Sequence, residues 1–370
     1  MEIPHPDTFL AAVFTRAGGK LEFETVKWRD PREGGKSASF SLARRRRRRT
    51  THVTVCTEIS IKVIACGINS TDEIQRFGLL PPAKFPRTPV CCVVGEVVKV
   101  GPPPKQSEGH CRCRPGMRVV SVFDHQGLAE YCTGRTDASH ELTGEKKALD
   151  GLIAGYDAAR ILSSYERFSH EQKKKDTNEH ARCLGWCERM GISGEGVICV
   201  YGEGGYARLA LEILRKATKN ERILLVTYSD RFSADDYGID ERDMLVVGKQ
   251  PVDQALRKLG GAKLVIATDQ PRDGTEEVLD GMRYGSQLVI LNPRKDRLFQ
   301  LPLADLLAKD LQVRGAPTLD CSAINRSIEF FAKHNLTARC RSFDFNEADI
   351  NQAWEHMEDR GAFDAPVVIF

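Results

Sequence analysis

The residues best suited to chemistry form a glycine-rich run, Gly202-Glu203-Gly204-Gly205-Tyr206-Ala207. It follows an apolar stretch, Val197–Tyr201, and opens an amphipathic one, with Leu209, Leu211, Ile213 and Leu214 set against Arg208, Glu212, Arg215 and Lys216. Strand, glycine turn and helix in that order make a phosphate cradle. Gly202 permits the tight turn, Gly204 lets the backbone approach a pyrophosphate, and the small Ala207 lets the helix pack on the strand. The first amides of such a helix carry the positive end of its dipole and favour an anion. The run therefore predicts a dinucleotide site; the alternative is a structural strand–helix turn that binds nothing.

The end of the next strand selects between dinucleotides, because a carboxylate there holds ribose hydroxyls and repels a phosphate. Arg222–Thr227 reads as that strand and continues Tyr228-Ser229-Asp230-Arg231. With Thr227 at the tip, Tyr228 able to stack on adenine and Arg231 able to pair with phosphate, the expectation is NADP. NAD stays open, since a shift of three residues would put Asp230 at the tip.

These motifs need a scaffold. From Gly196 onward, apolar runs at Met244–Val247, Lys263–Thr268 and Gln287–Leu291 alternate with polar or helical segments, which argues for parallel βαβ units. Ala323–Lys333 and Ala348–Met357 read as helices, with Trp354 and Met357 in the core, and Pro366–Phe370 as a last strand. The first part is strand-rich: Ala11–Phe14, Ile59–Ala65, Val93–Val100, Arg118–Phe123 and the Gly127–Cys132 run. Trp28–Thr51 differs, since it contains six successive arginines, Arg44–Arg49, whose charges cannot be buried without partners. It is expected to be an exposed insertion, as is the lysine-rich patch between Ser169 and His180. His125, His334 and His356 are expected at the surface.

At 370 residues two domains are expected, and a net charge of +3 gives no case for nucleic acid. No apolar run is long enough to span a membrane and no export pattern opens the chain, so a cytoplasmic protein is expected. In that compartment the twelve cysteines read as buried thiols rather than as a disulfide framework.

The chain resembles the medium-chain dehydrogenase/reductases, the superfamily of alcohol dehydrogenases and quinone reductases. The resemblance rests on collinear segments: Ala11–Phe14; Lys62–Asn69; Phe85-Pro86-Arg87-Thr88-Pro89 with Val94–Val98; Gly127–Tyr131; Val200–Ala210; Leu301-Pro302-Leu303; Gln312–Gly315; and the Ala348–Met357 helix. It implies an α/β protein in which a GroES-like β-barrel domain (1–160, with an insertion at about 28–58) is joined to a Rossmann domain (161–315). The chain then returns to the first domain over 316–370. It also implies hydride transfer to a small hydrophobic molecule in the cleft between domains, with the nicotinamide near Thr268, Leu291 and Asn292. A homodimer is compatible with this.

Zinc-dependent members carry Cys where this chain has Asn69 and His-Glu where it has Cys91-Cys92, and the third ligand position falls on Ile153. Of the cysteines that hold a structural zinc, only Cys111 and Cys113 remain. An amide, a thiol and an aliphatic side chain do not make a zinc site, so a zinc-independent enzyme is expected, resembling quinone and enoyl reductases, whose turn reads Gly-Ile-Asn. Asn69 is expected at the cofactor, and Thr71 is the candidate for hydrogen bonding to substrate or ribose. A turn-capping role for the Thr71-Asp72 pair is the alternative. The tyrosine that some enoyl reductases use is replaced nearby by Phe77. Two other readings stay open: a cofactor-binding pseudoenzyme, and a zinc alcohol dehydrogenase with ligands elsewhere.

Overall fold

The computed structural model describes residues 4–32, 57–79, 85–102, 113–122, 127–135, 139–142, 147–174, 187, 192, 194–218, 221–268, 274–292, 301–316, 321–337, 339–359 and 362–370. The arginine run, Cys111, His125 and the far half of the lysine-rich patch fall outside them.

The first sheet system begins with a hairpin, β1 (Thr8–Phe14) and β2 (Leu21–Lys27), in antiparallel register from Thr8↔Lys27 to Phe14↔Leu21. β3 (Glu58–Gly67), β4 (Cys92–Val100), β5 (Arg118–Val122), β6 (Tyr131–Arg135) and β7 (Ser139–Glu141) follow. The hairpin joins them through bridges Ala11↔Ala129 and Phe14↔Arg87. β3 and β4 are buried along most of their length rather than on alternate residues, because both faces are covered, which is why they read as continuous apolar runs.

A second sheet is wholly parallel: β8 (Val197–Tyr201), β9 (Ile223–Thr227), β10 (Met244–Val246), β11 (Ala262–Ala267), β12 (Met282–Ile290) and β13 (Gln312–Gly315), in the order β10-β9-β8-β11-β12-β13. The order reverses between β8 and β11, and a crevice opens at the carboxyl ends of strands at such a switch point. The chain then returns: β14 (Cys340–Asp344) and β15 (Ala365–Ile369) enter the first sheet, giving β14-β15-β3-β4-β5-β7 with β6 on β3. This is the barrel-plus-Rossmann architecture that the sequence implies.

Helices fill the spaces: α1 (Ser70–Arg76), α2 (Lys147–Ile153), α3 (Ala159–Lys174), α4 (Gly204–Ala217), α5 (Ala234–Tyr237), α6 (Val252–Lys258), α7 (Thr275–Asp280), α8 (Leu303–Ala308), α9 (Cys321–His334) and α10 (Glu347–Glu358). A π-helical turn, Ala154–Ala158, joins α2 to α3 without a break. Ile161, Leu162 and Phe168 of α3 share a core with Ala207, Ala210, Leu211 and Leu214 of α4. Among the described residues no helix is long and apolar enough to cross a membrane.

Several expectations need correction. Trp28 is not in an exposed loop: it stacks on His5 at 3.9 Å and meets Tyr131 edge-on, Pro31 is buried, and Thr57 leads buried into β3. Ser169–Lys174 is helix, and the Gly127–Cys132 run forms regular strand only from Tyr131. His356 is half-buried and lies 2.9 Å from the Asp364 carbonyl, and His334 packs on Phe330 at 4.4 Å. Cys66, Cys91, Cys92, Cys113, Cys132, Cys187, Cys199 and Cys340 are free thiols, all buried except the half-buried Cys340.

Candidate active-site cleft

α4 starts at Gly204, three residues earlier than its apolar periodicity suggests, with Glu203 at the N-cap making no side-chain cap. Gly202 and Gly204 take φ of +150° and +69°, which disfavour any residue with a Cβ. Gly205 is required by proximity instead: a Cβ there would lie 2.4 Å from the Phe363 carbonyl oxygen. The Gly205 amide donates to the Ala362 carbonyl (2.9 Å) and the Gly204 amide to the Tyr237 hydroxyl (3.0 Å). Phe363 is wedged against Phe232 and Tyr237 at ring distances of 4.7 and 5.3 Å. The segment after α10 therefore lies directly on the glycine turn.

Beside this contact is a cavity of about 370 Å³ between the two sheet systems. Glu203, Gly205 and Tyr206 line it from the turn, Thr268 and Asn292 from the strand ends, Ser70 and Glu73 from α1, Asp157 from the π-helical turn, and His356 to Asp359 from α10 and its end. Asn292 ties its walls together. Its Oδ1 accepts from Ser70 Oγ (2.6 Å) and Arg160 (3.2 Å), and its Nδ2 donates to the Thr268 carbonyl (2.8 Å). Arg160 also donates to the Leu291 carbonyl.

The expected site residues thus divide. Glu203, Gly205, Tyr206, Thr268 and Asn292 meet at the cleft, and Gly202 and Gly204 shape the turn beneath it. Ala207 is wholly buried in the strand–helix contact, as its size suggested, and Leu291 contributes only backbone. Thr227 is buried and its hydroxyl donates to the Ser229 carbonyl (3.0 Å), while Tyr228 lies edge-on to Tyr201. Arg231 pairs with Asp359 at 3.2 Å.

Asn69 and Thr71 are not on the cleft wall. Asn69 caps α1: its Oδ1 accepts from the Thr71 amide (2.9 Å), and the Asp72 carboxylate accepts from the Asn69 amide (3.0 Å), which closes a capping box. The capping alternative holds here, with Asn69 and Asp72 as the pair. Asn69 Nδ2 also approaches Cys91 Sγ at 3.6 Å, and Cys92 Sγ donates to the Leu152 carbonyl. Thr71 Oγ1 accepts from Tyr156 Oη at 2.8 Å.

One residue at the cleft had no sequence signal. Asp157 belongs, with Tyr156, to the π-helical turn, where the extra residue re-aims side chains out of the helical register. Burial pushes the Asp157 carboxyl up to about 7 against the opposing pull of Arg160. Burial likewise pushes Asp72 up to about 7, opposed by the Asn69 amide and reinforced by Asp157. Burial also raises the thiols of Cys91 and Cys92 and the phenol of Tyr156, so these groups stay protonated near neutrality.

The glycine turn at a switch point and a cleft roofed by a GroES-like barrel define an alcohol-dehydrogenase-like architecture. Residues 56–165 match the family described as alcohol dehydrogenase GroES-like domain. The chain is 24% identical over 307 residues to the alcohol dehydrogenase patD of Penicillium expansum, which covers 78% of this chain and 77% of that protein. A mycobacterial structure in complex with NADPH superposes with a TM-score of 0.67 at 17% identity, covering 98% of this chain and all of that one. A short chain alcohol dehydrogenase of E. coli in complex with NADH gives 0.67 at 13% identity, covering 99% and 100%. Residues 56–165 thus carry an alcohol dehydrogenase GroES-like domain, and the superpositions show that the whole chain has the fold of those dehydrogenases.

Proposed function

We propose that the protein is a zinc-independent, NADPH-dependent reductase acting on an activated alkene or carbonyl of a small hydrophobic molecule. The observation that carries this reading is the cleft: Ser70, Thr268, Asn292 and Asp157 converge beside the glycine turn at the switch point of the parallel sheet. Gly202 and Gly204 provide a turn without side chains for a pyrophosphate, Arg231 after the second parallel strand is a cation suited to the extra phosphate of NADP, and Thr268 and Asn292 lie on the cleft at the strand ends expected to face the nicotinamide. These residues fit the cofactor, which when bound supplies hydride. The chain's part is to orient substrate, exclude water and supply the proton.

Zinc independence draws on the residues at the family's ligand positions. Asn69 spends its carbonyl on capping α1, and Ile153 is aliphatic and 6% exposed, so neither offers a donor atom to a metal. A small neutral carbonyl substrate must then find hydrogen-bond donors instead of a Lewis acid.

Titration with NADPH and NADH, turnover of α,β-unsaturated ketones and quinones, and metal analysis of the purified protein test the proposal together. Expected are tighter binding of NADPH, turnover, and no stoichiometric zinc. A second reading, a scaffold that binds no dinucleotide, draws on the Gly204 and Gly205 amides already engaged by Tyr237 and Ala362 and on the carboxylate of Glu203 in the turn. Failure of both cofactors to bind at micromolar protein would select it.

A further inference from the structure

We propose that Asp157 is the proton donor of this reaction: from the π-helical wall of the cleft its carboxyl protonates the α-carbon of an enone-class substrate. The inference rests on the reductase reading above. Asp157 lines the cleft together with Ser70, Thr268 and Asn292, is only 8% exposed, and accepts no hydrogen bond from any described residue. Ser70 donates to Asn292, and the Asn292 amide bridges Ser70, Arg160 and the Thr268 carbonyl, while Glu203 Oε1 and Thr268 Oγ1 are likewise without a partner among the described residues, which leaves the cleft several polar contacts to offer a bound molecule. A buried carboxyl that faces a cavity without a partner is where a reacting molecule must supply the missing contact.

The π-helical turn explains how it gets there. In a regular helix running from α2 into α3 the stripe Ile153, Ala154, Ala158, Ile161 would set the register, and all four are in the core. The wide turn inserts a residue, so Tyr156 reaches Thr71 while its neighbour Asp157 reaches the cleft. The groups facing the carboxyl are Arg160 and Tyr156 of its own helix, Asp72 of α1, Cys91 just before β4 and Cys92 of β4, Tyr206 of the glycine turn and Cys340 of β14. Arg160 alone carries a positive charge. Asp72, itself raised to about 7 by burial, brings no positive charge, and the thiols and phenols stay neutral, so among these groups Arg160 alone opposes the acid form. At about 7, the carboxyl is an acid near working pH, where proton transfer is most effective.

A bound reduced nicotinamide would supply hydride to the β-carbon of the enone. The alkene electron pair forms the Cα–H bond with the Asp157 proton, and the broken O–H bond leaves its electrons on the carboxylate. The saturated ketone departs, and Asp157 regains its proton from water.

The test compares wild type with Asp157→Asn and Asp157→Glu in the full chain. With NADPH and an enone, Asp157→Asn is expected to lower kcat by about 10²- to 10⁴-fold with KM little changed, and Asp157→Glu to recover part of the rate. Without cofactor, infrared difference spectra of wild type between about pH 5 and about pH 9 should show protonated-carboxyl intensity from Asp157 and Asp72, of which Asp157→Asn loses the Asp157 part. The same variant should also flatten the fall in denaturant midpoint as pH rises through about 7. A folded Asp157→Asn enzyme with unimpaired kcat overturns the role, as does an infrared difference that is unchanged by the substitution. A wild type that reduces nothing with either cofactor overturns the reductase reading itself, even if the band titrates as expected.

Discussion

Asn292 is the residue on which the two halves of the cleft converge, and it was legible only in part. Its place at the end of β12 follows from the strand pattern, but its bond to Ser70 crosses 222 positions of sequence and has no local signature. Asn292→Ala leaves a buried carbonyl and a guanidinium short of a partner, so a loss of about 1–3 kcal/mol in chemical denaturation is expected. Arg231 illustrates a weak tie. Its pairing with Asp359 joins side chains that are 56% and 50% exposed, and such pairs contribute about 0–1 kcal/mol. A phosphate could therefore displace Asp359 at small cost. Arg231→Ala is expected to weaken NADPH by roughly tenfold, in line with a charge-assisted hydrogen bond, while leaving NADH nearly unchanged in parallel titrations.

Among elements, the glycine turn depends on the segment after α10 as much as on its own glycines. Gly205→Ala pushes a Cβ into the Phe363 carbonyl, and overpacking of this kind costs about 1–3 kcal/mol. A lowered thermal midpoint together with weaker cofactor binding is the expected outcome. α3 is held differently. Partial burial alone would raise the Glu171 carboxyl, but hydrogen bonds from Arg314, Gln287 and Arg167 outweigh it and hold it at about 2. Because this folded value lies below the unfolded one, the tie is intact above about pH 4 and is lost as pH falls toward 2. Glu171→Gln should be less stable than wild type near neutrality, with the gap closing over that window in acid denaturation. Legibility followed the same physics. β8 and α4 have full apolar runs and clean periodicity, and both were read from sequence. β2 is mostly exposed and mixed in composition, so it was missed, and the π-helical turn breaks the very periodicity by which helices are recognised. His356 was expected at the surface because exposure is the default for a histidine on a C-terminal helix; the segment that covers it arrives later in the chain.

For the molecule as a whole, the decisive feature is that the chain closes its first sheet with its last strand. β15 sits between β14 and β3, with Val367 and Val368 wholly buried, so the first sheet is incomplete without the C-terminal return. Collinear motifs conveyed that topology, whereas the electrostatics of the junction could not be seen until the buried groups were placed together. Asp72 and Asp157 lie there, both raised to about 7 chiefly by burial, with the guanidinium of Arg87 the cation that acts on Asp72 and Arg160 the one that acts on Asp157. Since their folded values exceed the unfolded ones, the folded chain binds more protons between about pH 4 and 7, and its stability falls as pH rises through that range. Asp72→Asn keeps an oxygen to accept the Asn69 amide but removes the titration. The expected result is a denaturant midpoint that declines less steeply between about pH 5 and pH 8 than that of wild type, with the variant relatively more stable at the alkaline end. Parallel slopes for the two proteins would mean that Asp72 titrates in the folded state as it does in the unfolded one, and that its burial is relieved by a contact from elsewhere.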